Sequence, residues 1–179
     1  MNTNNFFVID VGNTEIVIAL IKNFKIYKMD RIKTIDFKKK KLFKNFIEIK
    51  KILKVQKKIQ CIISSVVSHI DYDLKKYCFH FLKEKPHFVK FNKTKLNIKI
   101  DLKNKKEVGA DRIINTIAVK SLYRSPAVVI DFGTTTTFDV INDSGNYIGG
   151  LITPGINLSL KNLYLKTSKL PLVEFKKKK

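Results

Sequence analysis

Residues 127–139 read AVVIDFGTTTTFD. The unbroken apolar run is typical of a β-strand covered on both faces, and it ends in Asp131, with Gly133 and several Thr after it. The N-terminus repeats this order, because residues 6–18 read FFVIDVGNTEIVI, with Asp10 at the end of the run and Gly12 two residues later. A single stretch of this kind is common hairpin chemistry. Two of them indicate a duplicated unit with two facing turns.

The chemistry of such a turn suits phosphate. Glycine lets the backbone approach an anion and adopt φ > 0 where a side chain would clash. The turn directs backbone N–H groups at the anion, and Thr and Asn side chains add donors. A carboxylate at the strand end can hold a cation that neutralises the phosphates. Two turns could therefore grip a nucleotide triphosphate between two lobes; the alternative is two structural hairpins whose Asp and Thr side chains satisfy their own turns.

Length and charge limit the class of protein. A chain of 179 residues that is 44% apolar can bury roughly 70% of its unfolded surface. The net charge is +21, yet nearly all of it comes from Lys spread over every segment, with Arg only at positions 31, 112 and 124. Specific nucleic-acid readers cluster their charge and use Arg forks. We therefore expect solvated Lys faces that bind polyanions non-specifically at low salt, and no specific nucleic-acid partner.

The same sequence predicts the compartment. Two cysteines, Cys61 and Cys78, are too few for a disulfide framework, so we expect free thiols in a reducing cytosol. No basic segment precedes the first apolar run, and Asp10 interrupts that run, which excludes a secretory signal. No apolar stretch is long enough to cross a bilayer. We predict a soluble, cytoplasmic protein with no membrane partner.

Hydrophobic periodicity predicts mixed α/β structure. The predicted strands are 5–11, 14–21, 24–34, 61–67 and 87–91, and the predicted helices are 41–54, 69–83 and 156–166. Residues 92–106 are predicted to be a polar connection, and a paired Gly149-Gly150 predicts close backbone approach to a neighbouring element or ligand.

A further helix is predicted to open at residues 107–112, which read EVGADR, and to end at Ser125-Pro126. Its predicted buried stripe is Ile113, Ile114, Ile117, Ala118 and Leu122. Asp111 and Arg112 fall in its first turn, where the helix dipole favours a charged carboxylate. That suits a base taking a proton from an alcohol that attacks phosphorus, and Arg112 could fork onto a substrate carboxylate. The alternative is helix capping by Asp111 and a surface charge at Arg112.

Five segments together resemble type III pantothenate kinase, in that family's order and spacing. They are DVGNT at 10–14, ISSVV at 63–67, EVGADR at 107–112, DFGT at 131–134, and the stretch from Gly149-Gly150 through Pro154-Gly155 to Leu170-Pro171. The resemblance implies an α/β fold of the actin-like ATPase class: two ribonuclease-H-like, mixed-sheet lobes with ATP in the cleft between them. We expect an N-terminal lobe at 1–106 and a partial C-terminal lobe at 107–179.

The resemblance also implies roles for individual residues. The ATP-binding residues would be Asp10, Val11, Gly12, Asn13, Thr14, Glu15 and Thr134, with Asp10 near Mg²⁺. Pantothenate would contact Gly109, Ala110, Asp111 and Arg112, with Asp111 as the proton acceptor. Asp131 would hold a monovalent cation, K⁺ or NH₄⁺. The implied reaction is ATP-dependent phosphorylation of pantothenate to 4'-phosphopantothenate, the first step of coenzyme A biosynthesis, by a homodimer.

The sequence departs from the family pattern in two regions. Leu102 stands seven residues before Gly109, where the family usually has a pantothenate-contacting Tyr, and Asn104-Lys105 replaces Asn-Pro. Family members also continue past the Leu-Pro segment into a substrate-contacting Thr stretch, helices and a Gly-Gly loop. We therefore expect an incomplete second lobe in a C-terminally truncated chain, with Ile152, Leu163 and Leu172 uncovered.

Two other functions stay open at this point. A truncated, non-catalytic remnant would bind nucleotide without transferring phosphate. A ribonuclease-H-like nuclease would place Asp10, Asp111 and Asp131 around two Mg²⁺ ions. The Gly-polar-Thr order after Asp10 and a similar run after Asp131 favour phosphate cradling over hydroxide activation.

Overall fold

The computed structural model describes residues 5–39, 59–90 and 97–174. The chain forms two compact units: the first comprises Met1–Lys95 and Val108–Ile114, and the second Leu96–Glu107 and Asn115–Lys179. The predicted helix at 41–54 lies outside the described residues, and the division into lobes at 106/107 stays a prediction. Within the described ranges, no helix combines the length and hydropathy needed to span a membrane.

The first unit is built on a five-stranded mixed sheet. Its strands are β1 (Asn5–Val11), β2 (Glu15–Lys22), β3 (Lys25–Lys33), β4 (Gln60–Ser65) and β5 (His87–Phe88), in the order β3-β2-β1-β4-β5. β1 pairs antiparallel with β2 and parallel with β4, and β4 pairs parallel with β5. A 3₁₀ helix (Thr34–Lys39) follows β3, and α1 (Ser68–Leu82) joins β4 to β5. These strands and α1 confirm the predicted elements to within a few residues.

Alternation along β1 explains which face of this sheet is buried. Phe7, Ile9 and Val11 are fully buried, and they form one hydrophobic cluster with Leu74 and Cys78 on α1. Successive strand residues point to opposite faces, so the intervening position Asp10 lies on the other face of the sheet. The burial of these residues therefore places the Asp10 carboxylate on the face of the sheet opposite the core.

The second unit carries a separate antiparallel sheet. Its strands are β6 (Ala127–Phe132), β7 (Thr135–Ile141) and β8 (Tyr147–Pro154), in the order β6-β7-β8. Helix α2 (Ala110–Leu122) precedes β6, helix α3 (Ile156–Lys166) follows β8, and a 3₁₀ turn spans Lys105–Glu107. These helices confirm the predictions from periodicity.

Part of the predicted polar connection is buried. Ile98 and Ile100 lie in the core, and Ile100 forms a parallel bridge with Tyr147. The backbone N–H of Asp101 donates to the Tyr147 carbonyl oxygen (2.8 Å), and the N–H of Tyr147 donates to the Lys99 carbonyl oxygen (3.0 Å). A short strand-like segment therefore extends the second sheet where the sequence predicted only connection.

The prediction that residues 127–132 form a strand covered on both faces is wrong. Val128, Ile130 and Phe132 are 58%, 48% and 70% exposed. β6 is an edge strand. Leu151 on β8 lies in register with Ile130 across β7 and is exposed on the same face of the sheet. An apolar run indicates only that a strand can be covered on both faces. Whether it is covered depends on elements elsewhere in the chain, which the run does not specify. The expected exposure of Ile152, Leu163 and Leu172 is confirmed.

The predicted buried stripe of α2 is also wrong at Leu122, which is 75% exposed. The buried face instead contains Ile113, Thr116 and Val119. Residues three apart are rotated by about 60° around a helix, so the third such step from Ile113 carries Leu122 off the buried face.

Cys61 on β4 and Cys78 on α1 are free thiols in the core of the first unit. The Cys61 thiol donates to Cys78 Sγ across 4.0 Å. This hydrogen bond, burial and the second sulfur raise the pKa of the Cys61 thiol. The folded protein therefore keeps a proton at Cys61 that the unfolded chain releases once the pH exceeds a thiol's usual value of about 8.5.

We expect the Cys61→Ala variant to lose less stability at alkaline pH than the original chain. A raised folded-state pKa stabilises the protein below the unfolded pKa, and this stabilisation disappears as the pH rises above it. The free energy of unfolding from urea titrations should fall less steeply above about pH 8.5 in the variant, by up to about 1.4 kcal/mol per pH unit. Ser144→Ala, at an exposed turn, should keep the original slope; equal slopes for Cys61→Ala and the original chain would refute the account.

Candidate functional site

The first Asp-x-Gly turn connects β1 to β2 and is fixed by hydrogen bonds. The N–H of Gly12 donates to the carbonyl oxygen of Glu15 (2.9 Å). From the 3₁₀ helix, the Thr34 hydroxyl donates to the Gly12 carbonyl oxygen (2.7 Å), and the Thr34 N–H donates to the Thr14 carbonyl oxygen (2.9 Å). Thr34 thus holds both sides of the turn, a role that nothing in the sequence pattern indicated.

Neither Gly12 nor Gly133 is among the positive-φ residues, so neither turn uses the left-handed backbone that glycine permits. The requirement at Gly12 is space: an added Cβ would lie 3.2 Å from the Glu15 carbonyl oxygen. Close approach of the two sides of the turn, and not a left-handed backbone, is what glycine permits here.

Most polar side chains of the first turn lie at the surface. Asp10, Asn13 and Thr14 are exposed to solvent. Glu15 forms an ion pair with Arg31 (3.2 Å), so its carboxylate already has a cationic partner. Val11 is fully buried, and its carbonyl oxygen accepts from the Val66 N–H (3.1 Å). Of the residues predicted to contact ATP here, Asp10, Asn13 and Thr14 present polar side chains at the surface.

Residues 108–112 of the EVGADR segment lie in the same unit, and they begin α2 with a geometry that depends on glycine. Asp111 Oδ1 accepts from the backbone N–H of Arg112 (2.9 Å), and the Gly109 carbonyl oxygen accepts from Ile113 (3.2 Å). A Cβ on Gly109 would collide with Asp111 Oδ1 and would touch Val66 Cγ1 at 3.5 Å. Gly109 therefore leaves the room that the Asp111 carboxylate occupies.

Around these residues the segment is half-buried. Ala110 is buried, whereas Asp111 and Arg112 are partly exposed in the first turn of the helix, as predicted. The preceding Asn104 donates from its side-chain amide to the Glu107 carboxylate in the 3₁₀ turn, so the Asn-Lys departure still forms a closed turn. Leu102, in place of the family's Tyr, is partly exposed in the second unit.

The second Asp-x-Gly turn, in the second unit, is also closed by a bond from its glycine, but it is one residue shorter than the first. The Gly133 N–H donates to the Thr135 carbonyl oxygen two positions on (3.0 Å), whereas the Gly12 N–H donates to Glu15 three positions on. Asp131, Gly133 and Thr134 are exposed. The Thr134 carbonyl oxygen accepts from the Gly155 N–H (3.0 Å), which connects the turn to the start of α3.

The close approach predicted for Gly149-Gly150 is confirmed at Gly150, where an added Cβ would collide with the Phe138 carbonyl oxygen of β7. It is wrong at Gly149, which has φ +147 and no atom within 4 Å of an added Cβ. Gly155, for which no close approach was predicted, has one, because an added Cβ would collide with the carbonyl oxygens of Gly133 and Thr134. The glycine after Pro154 is thus a packing requirement of the second turn itself.

One buried hydroxyl near the first turn stands out. Ser64 on β4 is 3% exposed, and its Oγ has no hydrogen-bond partner among the described residues. Its register partner on β1 is Asp10. Oxygen ligands from carboxylate, hydroxyl and water suit Mg²⁺, so an exposed Asp10 beside an orphaned hydroxyl fits a hydrated magnesium ion. Ser64 belongs to the ISSVV segment, and nothing in the sequence pattern indicates a role for it.

The fold places the protein in the actin-like ATPase class of ribonuclease-H-like α/β proteins. A solved structure with the same fold is the ethanolamine utilization protein EutJ from Carboxydothermus hydrogenoformans, with a TM-score of 0.57 and 12% identity, covering 96% of this chain and 60% of that one. Within the class, the chain belongs to the type III pantothenate kinase family, whose family model matches residues 6–179.

Curated relatives agree with this assignment. The type III pantothenate kinase of Desulforapulum autotrophicum is 40% identical over 173 residues, covering 93% of this chain and 65% of the relative. That of Bacillus cytotoxicus is 41% identical over 176 residues, covering 96% and 66%. The chain therefore spans about two thirds of the length of the curated relatives it matches.

We expect Gly155→Ala to disturb the second turn. The added methyl group would have to displace backbone atoms of Gly133 and Thr134, and no flexible side chain can yield instead. Unfolding in urea should show a loss of about 2 kcal/mol or more, and amide hydrogen exchange at 133–135 should become faster.

Gly133→Ala is the matched control, because its added Cβ would meet the Thr135 carbonyl oxygen at an ordinary 3.5 Å. It should cost less stability than Gly155→Ala and leave the exchange of neighbouring amides nearly unchanged. Equal effects of the two substitutions would contradict the packing argument.

Proposed function

We propose that the protein transfers the γ-phosphoryl group of ATP to the terminal hydroxyl of pantothenate, giving 4'-phosphopantothenate and ADP, the first step of coenzyme A biosynthesis. The observation that carries the proposal is the family match over residues 6–179. It is supported by the first unit, which contains both the Asp10 turn and residues 108–112 of the EVGADR segment. The family match also favours this function over a nuclease.

In the proposed reaction Asp111 is the catalytic base. Its carboxylate accepts the proton of the pantothenate hydroxyl while that oxygen forms a bond to the γ-phosphorus and the bond to the ADP oxygen breaks. Asp111 lies in the first turn of α2, and its Oδ1 accepts from the backbone N–H of Arg112 (2.9 Å), which limits how the carboxylate can be placed. Arg112 would pair with the pantothenate carboxylate as a planar two-point donor.

Gly109 and Ala110 would bring the backbone close to pantothenate. Gly109 lacks the side chain that would occupy the space of the Asp111 carboxylate, and Ala110 is buried against the core of the unit. A base whose position is limited in this way loses little freedom on binding, which is the main contribution that positioning makes to phosphoryl transfer.

The first turn would hold ATP phosphates through the backbone of 11–13 and the side chains of Asn13 and Thr14. The Thr34 hydrogen bonds keep the turn in one conformation before ATP binds. Glu15 would act indirectly, since its carboxylate pairs with Arg31. In the second unit, Thr134 would add an ATP contact.

Two cations belong to the proposal. Mg²⁺ at Asp10 would neutralise phosphate charge, and K⁺ or NH₄⁺ at Asp131 would do the same in the second unit. Asp10 and Asp131 are exposed carboxylates at or near strand ends, which fits ligands for hydrated cations. We further propose that the protein is a cytoplasmic homodimer. The cytoplasmic location is consistent with the substrates of the reaction.

A nucleotide-binding remnant without catalysis is the second candidate. The chain spans about two thirds of the length of the curated relatives it matches, so ATP binding and phosphate transfer are measured separately. It differs from the kinase in one measurable respect, since it binds ATP and releases no ADP.

The test is a coupled assay of ADP release with pantothenate, ATP, Mg²⁺ and K⁺, beside ATP binding by calorimetry. We expect turnover that depends on pantothenate, and a loss of about 10²- to 10⁴-fold in Asp111→Asn with ATP binding retained. Asp143→Asn, in the exposed turn between β7 and β8, should keep full activity.

Three results would count against the kinase. ATP binding with no ADP release from the original chain would favour the remnant. No binding of ATP would overturn both candidates. Equal rates for Asp111→Asn and the original chain would remove Asp111 from the reaction.

A further inference from the structure

The two serines of the ISSVV segment have different surroundings. The Ser65 hydroxyl donates to Asp71 Oδ1 (2.6 Å), and its oxygen accepts from the Val67 N–H (3.2 Å). These contacts join the end of β4 to the first turn of α1, because Asp71 lies in that turn. Ser65 is therefore explained by the local structure alone.

Ser64 has no such explanation. It is 3% exposed, and its hydroxyl finds no partner within the part of the chain that the structure describes. A buried polar group without a hydrogen bond destabilises the folded state, and such groups in native proteins usually have a water, ion or ligand as partner. An apolar residue at this position would avoid that cost.

The sheet register places Ser64 beside the first turn. Ser64 on β4 and Asp10 on β1 are partners in a parallel pair, so their Cα atoms lie about 4.8 Å apart and their side chains share a face. The neighbouring pair, Ile9 and Ile63, is buried in the core on the opposite face. On its other side Asp10 is paired with Val17, which has no polar side-chain atom.

The register and the burial together limit what can reach Ser64. Its partner must be small, since the side chain is almost inaccessible, and it must be polar. Water meets both conditions, whereas a phosphate group is too large. Magnesium characteristically retains several of its water ligands in proteins, and groups in the outer shell hold those waters in place.

We propose that Ser64 is a positioning residue for the magnesium ion that accompanies ATP: its hydroxyl holds a water of the magnesium shell that the Asp10 carboxylate also binds. The inference rests on the proposed ATP-dependent function. Ser64 then acts through that water and not on the reacting atoms. The magnesium site at the first turn would thereby include a residue of the neighbouring strand, β4.

The test compares Ser64→Ala with the matched control Ser65→Ala in the full chain. ATP binding is measured by calorimetry without magnesium and at a series of MgCl₂ concentrations, and stability is measured by urea unfolding. For Ser64→Ala we expect a magnesium midpoint for ATP binding raised roughly 10-fold, with magnesium-free ATP affinity unchanged and stability equal to or higher than that of the original chain. For Ser65→Ala we expect lower stability and the original magnesium midpoint.

The outcomes separate this inference from the proposed function. If the original chain binds magnesium-ATP and Ser64→Ala has the same midpoint, the role of Ser64 is refuted and the kinase proposal stands. If the original chain binds no ATP, both are refuted. Ser64→Cys, which keeps the volume and weakens hydrogen bonding, replaces Ser64→Ala if the latter fails to fold, and it must show the same raised midpoint.

Discussion

The pairing of β1 with two neighbours of opposite direction is the constraint on which the first unit depends. The antiparallel partner β2 creates the turn after Asp10, and the parallel partner β4 brings a second strand end beside it. Because Phe7, Ile9 and Val11 must face α1, a shift of one residue would bury Asp10 and expose the core. The hydrophobic core therefore fixes the position of the carboxylate to within one residue.

Two glycines that precede helices, Gly109 and Gly155, contribute to the site through packing. Gly109 leaves space for the Asp111 carboxylate, and Gly155 lets the chain pass over the carbonyl oxygens of the second turn. Neither residue has a positive φ, so an account based on backbone freedom alone would misread them. Thr34 adds a polar counterpart, since it joins the first turn to the 3₁₀ helix through two hydrogen bonds.

Local pattern was sufficient to predict most strands, all three described helices and the two turns. Alternation and helical spacing are properties of neighbouring residues, and the first unit obeys them closely. Position 34 could not be predicted, because its contact with the first turn depends on how β3 returns beside β2. The exposed face of β6 and the bridge of Ile100 likewise depend on elements distant in sequence. The sequence does not distinguish Ser64 from any other residue of an apolar strand. Only its burial and its register with Asp10 separate it from Ser65.

The hydrogen bond from Gly155 to Thr134 has a mechanical consequence. Gly155 immediately precedes α3, and its carbonyl oxygen accepts from Ser159 within the first turn of that helix. The residue before α3 is therefore bonded to the second turn, and a displacement of α3 would act on the Thr134 carbonyl group through this hydrogen bond. A partner bound to the exposed apolar side chains of α3 would therefore shift the position of Thr134 in the second turn.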